Sequence, residues 1–107
     1  DNKSVSGTVN WMCPEVLLGQ GCGRSSDVWS FGCTAIEILS GQPPWRKLPQ
    51  ITVMFKVAKS EEMPELPERA SESCKTFIMW CLQRDAQQRP AAQQLLTHSW
   101  LCGGAER

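Results

Sequence analysis

One stretch of the chain is apolar on almost every face that a helix could present. Residues 26–39 read SDVWSFGCTAIEIL, and after Asp27 the only charged residue is Glu37. Ser25 and Ser26 are residue types that cap the start of a helix. A helix that is apolar all round is normally buried inside a larger structure. The sequence therefore predicts a buried central helix, at about residues 26–39, that needs cover on all sides.

Three further helices are predicted from the helical spacing of apolar residues. The central helix ends at Gly41, and the second helix begins near Pro49. Ser71 caps the third helix, and Pro90 opens the fourth at a first-turn position. Between the second and third helices, residues 60–70 are predicted to form a solvated loop. The residues predicted to face inward are Ile51, Met54, Phe55 and Ala58, then Cys74, Phe77, Ile78, Cys81 and Leu82, and finally Ala92, Leu95, Leu96 and Trp100.

The predicted fold is all-α, in one domain, because no segment alternates apolar and polar residues over a useful length. Three amphipathic helices do not cover the central helix on every side, and large exposed apolar patches are rare in monomers. The sequence also begins at Asp1, in what reads as a loop. These features predict a fragment or a processed chain, with the remaining cover outside residues 1–107.

Composition argues against several classes of partner. The chain has 11 basic and 11 acidic residues, unlike the basic domains that bind nucleic acid. No apolar run reaches the length of a membrane span, and no secretory signal pattern opens the chain. None of its six cysteines forms a Cys-x-x-Cys pair, so we predict free thiols in a reducing, cytoplasmic compartment. His98 and Cys102 lack a second pair of ligands, so no metal site is predicted.

Four short motifs follow one another in the order found in protein kinase catalytic domains. Residues 7–15, GTVNWMCPE, resemble the end of the activation segment, which usually finishes in Ala-Pro-Glu. Residues 27–32, DVWSFG, resemble the start of the buried helix at the centre of the kinase C-lobe. Residues 41–45, GQPPW, resemble the loop after that helix, and residues 81–90, CLQRDAQQRP, resemble the stretch that closes the lobe. The chain thus resembles a partial C-lobe of the α+β protein kinase fold.

The resemblance also divides the chain and indicates a subgroup. It implies that residues 1–15 end the activation segment, that residues 26–39 form the central helix, and that residues 49–101 supply the remaining C-lobe helices. The subgroup it resembles most is the mitogen-activated protein kinase kinase kinases, which act on serine and threonine. Val9 and Asn10 depart from that subgroup, which commonly has proline and tyrosine there, and are closer to the tyrosine-kinase form.

The resemblance implies roles for residues near the activation segment. Thr8 would support catalysis by orienting the catalytic aspartate and lysine of the parent kinase through hydrogen bonds. The residues implied to shape the pocket for the substrate residue after the phosphoacceptor are Thr8, Val9, Asn10 and Trp11. Ser4 lies where this subgroup often carries its activating phosphate, and Ser6 is the competing site.

Structural roles are implied for three charged residues. Glu15 would pair with Arg89 and tie the activation segment to the helical base. Asp27 would cap backbone amides of the catalytic loop. Plainer interpretations stay open: Glu15 and Arg89 could be solvated charges, Asp27 a first-turn acid stabilised by the helix dipole, and Thr8 a turn residue.

The chain contains no Gly-x-Gly-x-x-Gly, Val-Ala-Ile-Lys, His-Arg-Asp or Asp-Phe-Gly motif. The resemblance places ATP, magnesium and the catalytic base in parts of the domain upstream of Asp1, so no cofactor and no catalytic residue are predicted in this chain. The predicted function is the substrate side of a serine/threonine kinase that phosphorylates a protein, such as a downstream kinase in a mitogen-activated cascade. Two alternatives are a pseudokinase and a helical protein-interaction module without catalysis.

Overall fold

The computed structural model describes residues 9–103, and this part of the chain is helical without a strand. Two 3-10 turns, Val9–Trp11 and Ala86–Gln88, accompany the helices. None of the helices in this range is long and apolar enough to cross a membrane. The all-α fold predicted for the chain is confirmed. The helices are α1 Pro14–Leu17, α2 Arg24–Ser40, α3 Gln50–Lys59, α4 Glu72–Cys81, α5 Ala92–Leu95 and α6 Ser99–Gly103.

The central helix α2 begins slightly earlier than predicted, at Arg24, so that Gly23 is its N-cap. The prediction of a cap at Ser25 or Ser26 is wrong, because both serines already lie inside the first turn. The Ser26 hydroxyl instead accepts a hydrogen bond from the Gly23 N–H at 3.2 Å. At the other end, Gly41 adopts a left-handed φ of 78°, which glycine does without strain, and the helix stops there as predicted.

Helix α2 lies at the centre of the core and packs against α4 and both 3-10 turns. Helix α3 packs against α1 and the first of these turns. A smaller apolar cluster joins α2, α4 and α5. The main core is formed by Val9, Cys13, Trp29, Cys33, Ala35, Ile36, Trp45, Val53, Val57, Cys74, Ile78 and Leu82.

Helix α3 turns a different face to the core from the one predicted. Val53 and Val57 are fully buried, whereas Ile51 and Phe55 are 75% and 63% exposed. The prediction that Ile51 and Phe55 face inward is therefore wrong. Both pairs satisfy the i, i+4 spacing of a helix face, and only the packing against α1 and the first turn selects the valines.

Helix α4 and the loop before it follow the prediction closely. The Ser71 hydroxyl accepts a hydrogen bond from the Cys74 N–H at 3.0 Å, which confirms it as the N-cap. All five residues predicted to face inward from this helix and its C-cap are buried. In the loop of residues 60–70 the glutamates are exposed, but Pro64 and Pro67 are buried, so the loop is only partly solvated.

The predicted fourth helix is two short helices with a turn between them. Pro90 lies before α5, whose N-cap is Ala91, and not in its first turn. Leu95 is buried, but Ala92 is exposed and Leu96 is 67% exposed, so the predicted inward positions of Ala92 and Leu96 are wrong. Because α5 stops after one turn, the helical period does not continue into the following residues. Trp100, on α6, is partly buried and packs against the core.

Part of α2 has no cover within residues 9–103. Phe31 is 51% exposed, and Ile38 and Leu39 are 75% and 46% exposed. The ring of Phe31 meets Phe77 on α4 edge-on, with 6.0 Å between the ring centroids, but half of its surface stays open, as do most of Ile38 and nearly half of Leu39. The source of their cover, expected outside residues 1–107, remains a prediction.

We expect Gly32→Ala to destabilise the full-length protein. A Cβ at Gly32 would lie 2.7 Å from the Cβ of Cys81 and 3.1 Å from Cδ2 of Leu82. Alanine favours a helix over glycine by about 1 kcal/mol, but overpacking of a core typically costs about 1–3 kcal/mol. Denaturant unfolding should therefore show a net loss. Thr34→Ala, at an exposed position of α2, is the control, and a Gly32→Ala variant as stable as wild type would contradict the expectation.

Candidate functional site

Two of the predicted site residues, Glu15 and Arg89, lie at the junction of α1, α2 and the second 3-10 turn, whereas Val9, Asn10 and Trp11 form the first 3-10 turn. Glu15 lies in the first turn of α1, which Pro14 opens at a position that favours proline. Arg89 follows the 86–88 turn and approaches Glu15 although the two are 74 residues apart in sequence. Ser4 and Thr8 lie outside the described residues.

Arg89 and Glu15 form a two-fold hydrogen-bonded ion pair. Nη1 of Arg89 donates to Oε2 of Glu15 at 2.7 Å, and Nη2 donates to Oε1 at 2.6 Å. The Arg89 side chain is 0% exposed and that of Glu15 is 13% exposed. The pair is thus buried, and the interpretation as solvated charges is excluded.

The remaining N–H groups of the Arg89 guanidinium all find backbone acceptors. Nε donates to the carbonyl of Gln83 at 2.6 Å, Nη1 to that of Ser25 at 2.8 Å, and Nη2 to that of Arg84 at 3.1 Å. The guanidinium also lies over the ring of Trp29, 5.2 Å from its centroid. All five donors of the side chain are therefore used, which is the condition under which a buried charge is tolerated.

Glu15 is held in its ionised form. Burial acts to raise its pKa, but hydrogen bonds from Arg89, from its own backbone N–H and from the Cys13 thiol outweigh burial and lower the pKa to about 2. The Ser26 hydroxyl also donates to Oε2 of Glu15 at 3.1 Å. This contact was not predictable from the sequence, because a serine near a helix start indicates a cap and nothing in its spacing indicates a partner in α1.

Each residue of the 3-10 turn at residues 9–11 contacts another part of the chain. Val9 is 1% exposed and belongs to the core, so it can shape a substrate pocket only from beneath. The Nδ2 of Asn10 donates to the carbonyl of Pro44 at 2.8 Å. The Ser30 hydroxyl on α2 donates to the carbonyl of Trp11 at 3.2 Å. Substrate binding by this turn remains a prediction, but its shape is fixed by the core, by α2 and by the loop after α2.

Asp27 is exposed in the first turn of α2 and is not among the hydrogen-bond partners of Arg89 or Glu15. It lines an open groove of about 1010 Å³ together with Val28, Phe31 and Leu101. Its predicted partner, the catalytic loop, is not among the described residues, so that role stays a prediction. Within residues 9–103 no group of three histidine, cysteine or acidic side chains is placed to hold a metal ion.

The ion pair generates a prediction about stability. Glu15→Ala or Arg89→Ala in the full-length protein leaves one buried charge without a partner, which typically costs about 3–5 kcal/mol. The double variant should be little less stable than either single variant, because both changes remove the same interaction. Denaturant unfolding measures all three. Arg24→Ala removes an exposed arginine and is the control; mild, additive losses would contradict the expectation.

The same pair predicts how stability responds to acid. Because the folded pKa of Glu15 is about 2, below its ordinary value of 4.5, its contribution is fully present above pH 4.5 and is lost as the pH falls towards 2. Glu15→Gln should flatten the stability profile in this interval. An unchanged profile in that variant would show that Glu15 does not supply this part of the pH dependence.

Comparison with known proteins agrees with the motifs. Residues 1–101 match the family described as protein kinase domain. The chain is 42% identical over 100 residues to mitogen-activated protein kinase kinase kinase A of Dictyostelium discoideum. The aligned region covers 92% of the chain and 11% of that protein. It is 46% identical over 100 residues to mitogen-activated protein kinase kinase kinase 19 of Homo sapiens. That aligned region covers 92% of the chain and 8% of the relative.

Mitogen-activated protein kinase kinase kinase 3 of Homo sapiens is 45% identical to the chain over 96 residues. The aligned region covers 90% of the chain and 15% of that protein. The chain therefore spans only a small part of the length of these relatives. The resemblance to mitogen-activated protein kinase kinase kinases is confirmed, and the match over nearly the whole chain excludes a chance likeness in an unrelated helical module. The chain belongs to the protein kinase domain family.

Proposed function

We propose that the full-length protein containing this chain is a serine/threonine protein kinase that transfers the γ-phosphate of ATP to a protein in a mitogen-activated kinase cascade. Membership of the kinase family and the likeness to kinase kinase kinases support the proposal. In this proposal the chain supplies the substrate side of the domain, and its protein substrate is a downstream kinase.

The observation that carries the proposal is the buried pair of Glu15 and Arg89. Phosphoryl transfer asks little covalent chemistry of the enzyme and depends on positioning and electrostatics. The loop that holds the acceptor hydroxyl must therefore keep one shape. The pair fixes the C-terminal end of that loop to the base of the lobe, and the contacts of residues 9–11 fix the part before it.

ATP and magnesium would be held by parts of the kinase domain that precede this chain. ATP supplies the phosphoryl group, and the residues of this chain orient the protein that receives it. A cytoplasmic location suits the free thiols of Cys13, Cys22, Cys33, Cys74 and Cys81, which persist in reducing compartments. The balanced charge of the chain suits a protein substrate better than a nucleic acid.

An assay of the full-length protein tests the proposed activity. Incubation with ATP, magnesium and a generic serine/threonine substrate should give phosphoserine or phosphothreonine. Thr8→Val should lower kcat by about tenfold or more, with little change in KM for ATP, because it removes the hydroxyl proposed to orient catalytic groups. Thr8→Ser keeps that hydroxyl and is the matched control. Absence of turnover in the activated protein would indicate a pseudokinase, and a phosphotyrosine product would overturn the proposed specificity.

We expect Ser4 to be phosphorylated in the active full-length protein. A phosphate there adds nearly two negative charges and can order the activation segment through arginine side chains. Phosphopeptide mapping should find Ser4 occupied, and Ser4→Ala should reduce activity while Ser6→Ala does not. Full activity of Ser4→Ala, or a phosphate found at Ser6 alone, would reject Ser4 as the activating site.

Helix α3 is the proposed docking surface for the protein substrate. Ile51 and Phe55 lie one turn apart on its exposed side, while Val53 and Val57 fix its other side in the core. Apolar side chains with this exposure are suited to bury against a partner. The exposed Lys59 lies one turn beyond Phe55 and favours an acidic partner surface.

Substitution of this surface should separate protein substrates from short peptides. The double variant Ile51→Ala, Phe55→Ala is expected to raise KM for a protein substrate by about tenfold or more. The alanines lack the apolar surface that Ile51 and Phe55 would bury against the substrate. The KM for a short peptide should not change. Lys56 is not a useful target, because it pairs with Glu62 at 2.7 Å.

Met79→Ala removes a partly exposed apolar side chain from α4 and is the control. Loss of activity towards both substrates would indicate a folding defect. An unchanged KM for the protein substrate would exclude docking on α3.

A further inference from the structure

We propose that Arg84 is a positioning residue that fixes the C-terminal end of α3 to the junction of Glu15 and Arg89, and so sets where a protein docked on α3 lies relative to the activation segment. The inference rests on the proposed function and deepens it, since it concerns the docking surface of the same kinase. Arg84 lies between α4 and the second 3-10 turn and is half-buried. Its side chain and its backbone carbonyl contact different elements.

The guanidinium of Arg84 binds two backbone carbonyls at the end of α3 and just after it. Nη1 donates to the carbonyl of Val57, and Nη2 donates to the carbonyl of Glu62. A helix leaves its last four carbonyls without donors of its own, and that of Val57 is one of these, because α3 ends at Lys59. Arg84 therefore closes the end of α3 and joins it to the loop that follows.

The backbone of Arg84 belongs to the buried junction. Its carbonyl accepts a hydrogen bond from Nη2 of Arg89 at 3.1 Å, and the same Nη2 donates to Oε1 of Glu15 at 2.6 Å. Arg84 thus connects the group that holds the start of α1 to the end of α3. Helix α3 also packs directly against α1, and Val53 and Val57 are fully buried. Loss of the Arg84 side chain should therefore free the last turn of α3 without detaching the helix.

The contact depends on the shape of the arginine side chain. A planar guanidinium has N–H donors in a fixed fork and can span two carbonyls at once, whereas the lysine ammonium is a compact charge on a flexible stem. Arg84→Lys should therefore keep only part of the connection. Arg84→Met retains an apolar stem without donors and should lose the connection entirely.

A fixed α3 matters for a protein substrate because such a substrate would contact the enzyme at two places. Ile51 and Phe55, which are exposed on α3, would hold its surface, while its acceptor hydroxyl lies at the activation segment. Binding at one place raises the local concentration of the second group only when the geometry allows both contacts together. A short peptide lacks the docking contact and should not depend on the position of α3.

The first readout does not require activity and uses the full-length protein. It is hydrogen exchange at the Ser60 amide, which donates to the Lys56 carbonyl at 3.3 Å at the C-cap of α3. Exchange should be about tenfold faster in Arg84→Met than in wild type, with Arg84→Lys intermediate. Arg69→Met removes an exposed arginine and is the matched control. Unchanged exchange at Ser60 overturns the positioning role, and so does an equal acceleration at the Gly41 amide, which would indicate global destabilisation.

The second readout is KM for a protein substrate and for a short peptide. Arg84→Met should raise KM for the protein by about fivefold and leave kcat/KM for the peptide close to wild type. In a variant that already carries Ile51→Ala and Phe55→Ala it should add little, because Arg84 acts through that surface. Equal losses for both substrates, an unchanged KM for the protein, or an additive loss in the combined variant overturns the role in docking. An inactive wild type refutes the proposed function, and exchange at Ser60 then still decides whether Arg84 fixes α3.

Discussion

The arrangement of the whole site depends on the burial of one guanidinium. A fully buried arginine is tolerated only if its charge is paired and its N–H groups are bonded. Arg89 meets this condition by drawing together the Glu15 carboxylate and three carbonyls, from the start of α2 and from the segment just after α4. The start of α1, the start of α2 and the segment after α4 are therefore fixed relative to one another by the geometry of a single planar group.

The position of the loop before Glu15 depends on this junction. Helix α2 is the surface on which the loop lies, because the Ser30 hydroxyl and the buried Val9 hold the 9–11 turn against it. On the far side of α2, the missing side chain of Gly32 lets α4 approach to a distance that a Cβ would block. The loop is thus supported by a helix that is itself packed closely against α4 on its other side.

The sequence was sufficient where one physical signal had no competitor. The apolar run of α2, the Ser71 cap and the single apolar stripe of α4 each admitted one interpretation, and the motif pair of Glu15 and Arg89 was found through its likeness to kinases. The face of α3 could not be predicted, because Ile51 and Phe55 form as good a stripe as Val53 and Val57. The bond from Asn10 could not be predicted either, since its acceptor is a backbone carbonyl and any residue type supplies one.

The ion pair could not be replaced by a well-packed apolar pair without loss of this arrangement. Buried ion pairs in proteins are often exchanged for hydrophobic residues at no cost to stability, because charges are expensive to desolvate. Here that exchange would leave the carbonyls of Ser25, Gln83 and Arg84 without the donors they now have. These bonds are partly buried, and a buried acceptor that loses its donor costs about 1–3 kcal/mol, so the exchange would give up three backbone contacts together with the ion pair. The arginine therefore acts through the directions in which it donates as well as through its attraction to Glu15, and those directions fix the start of α1 relative to α2 and to the segment after α4.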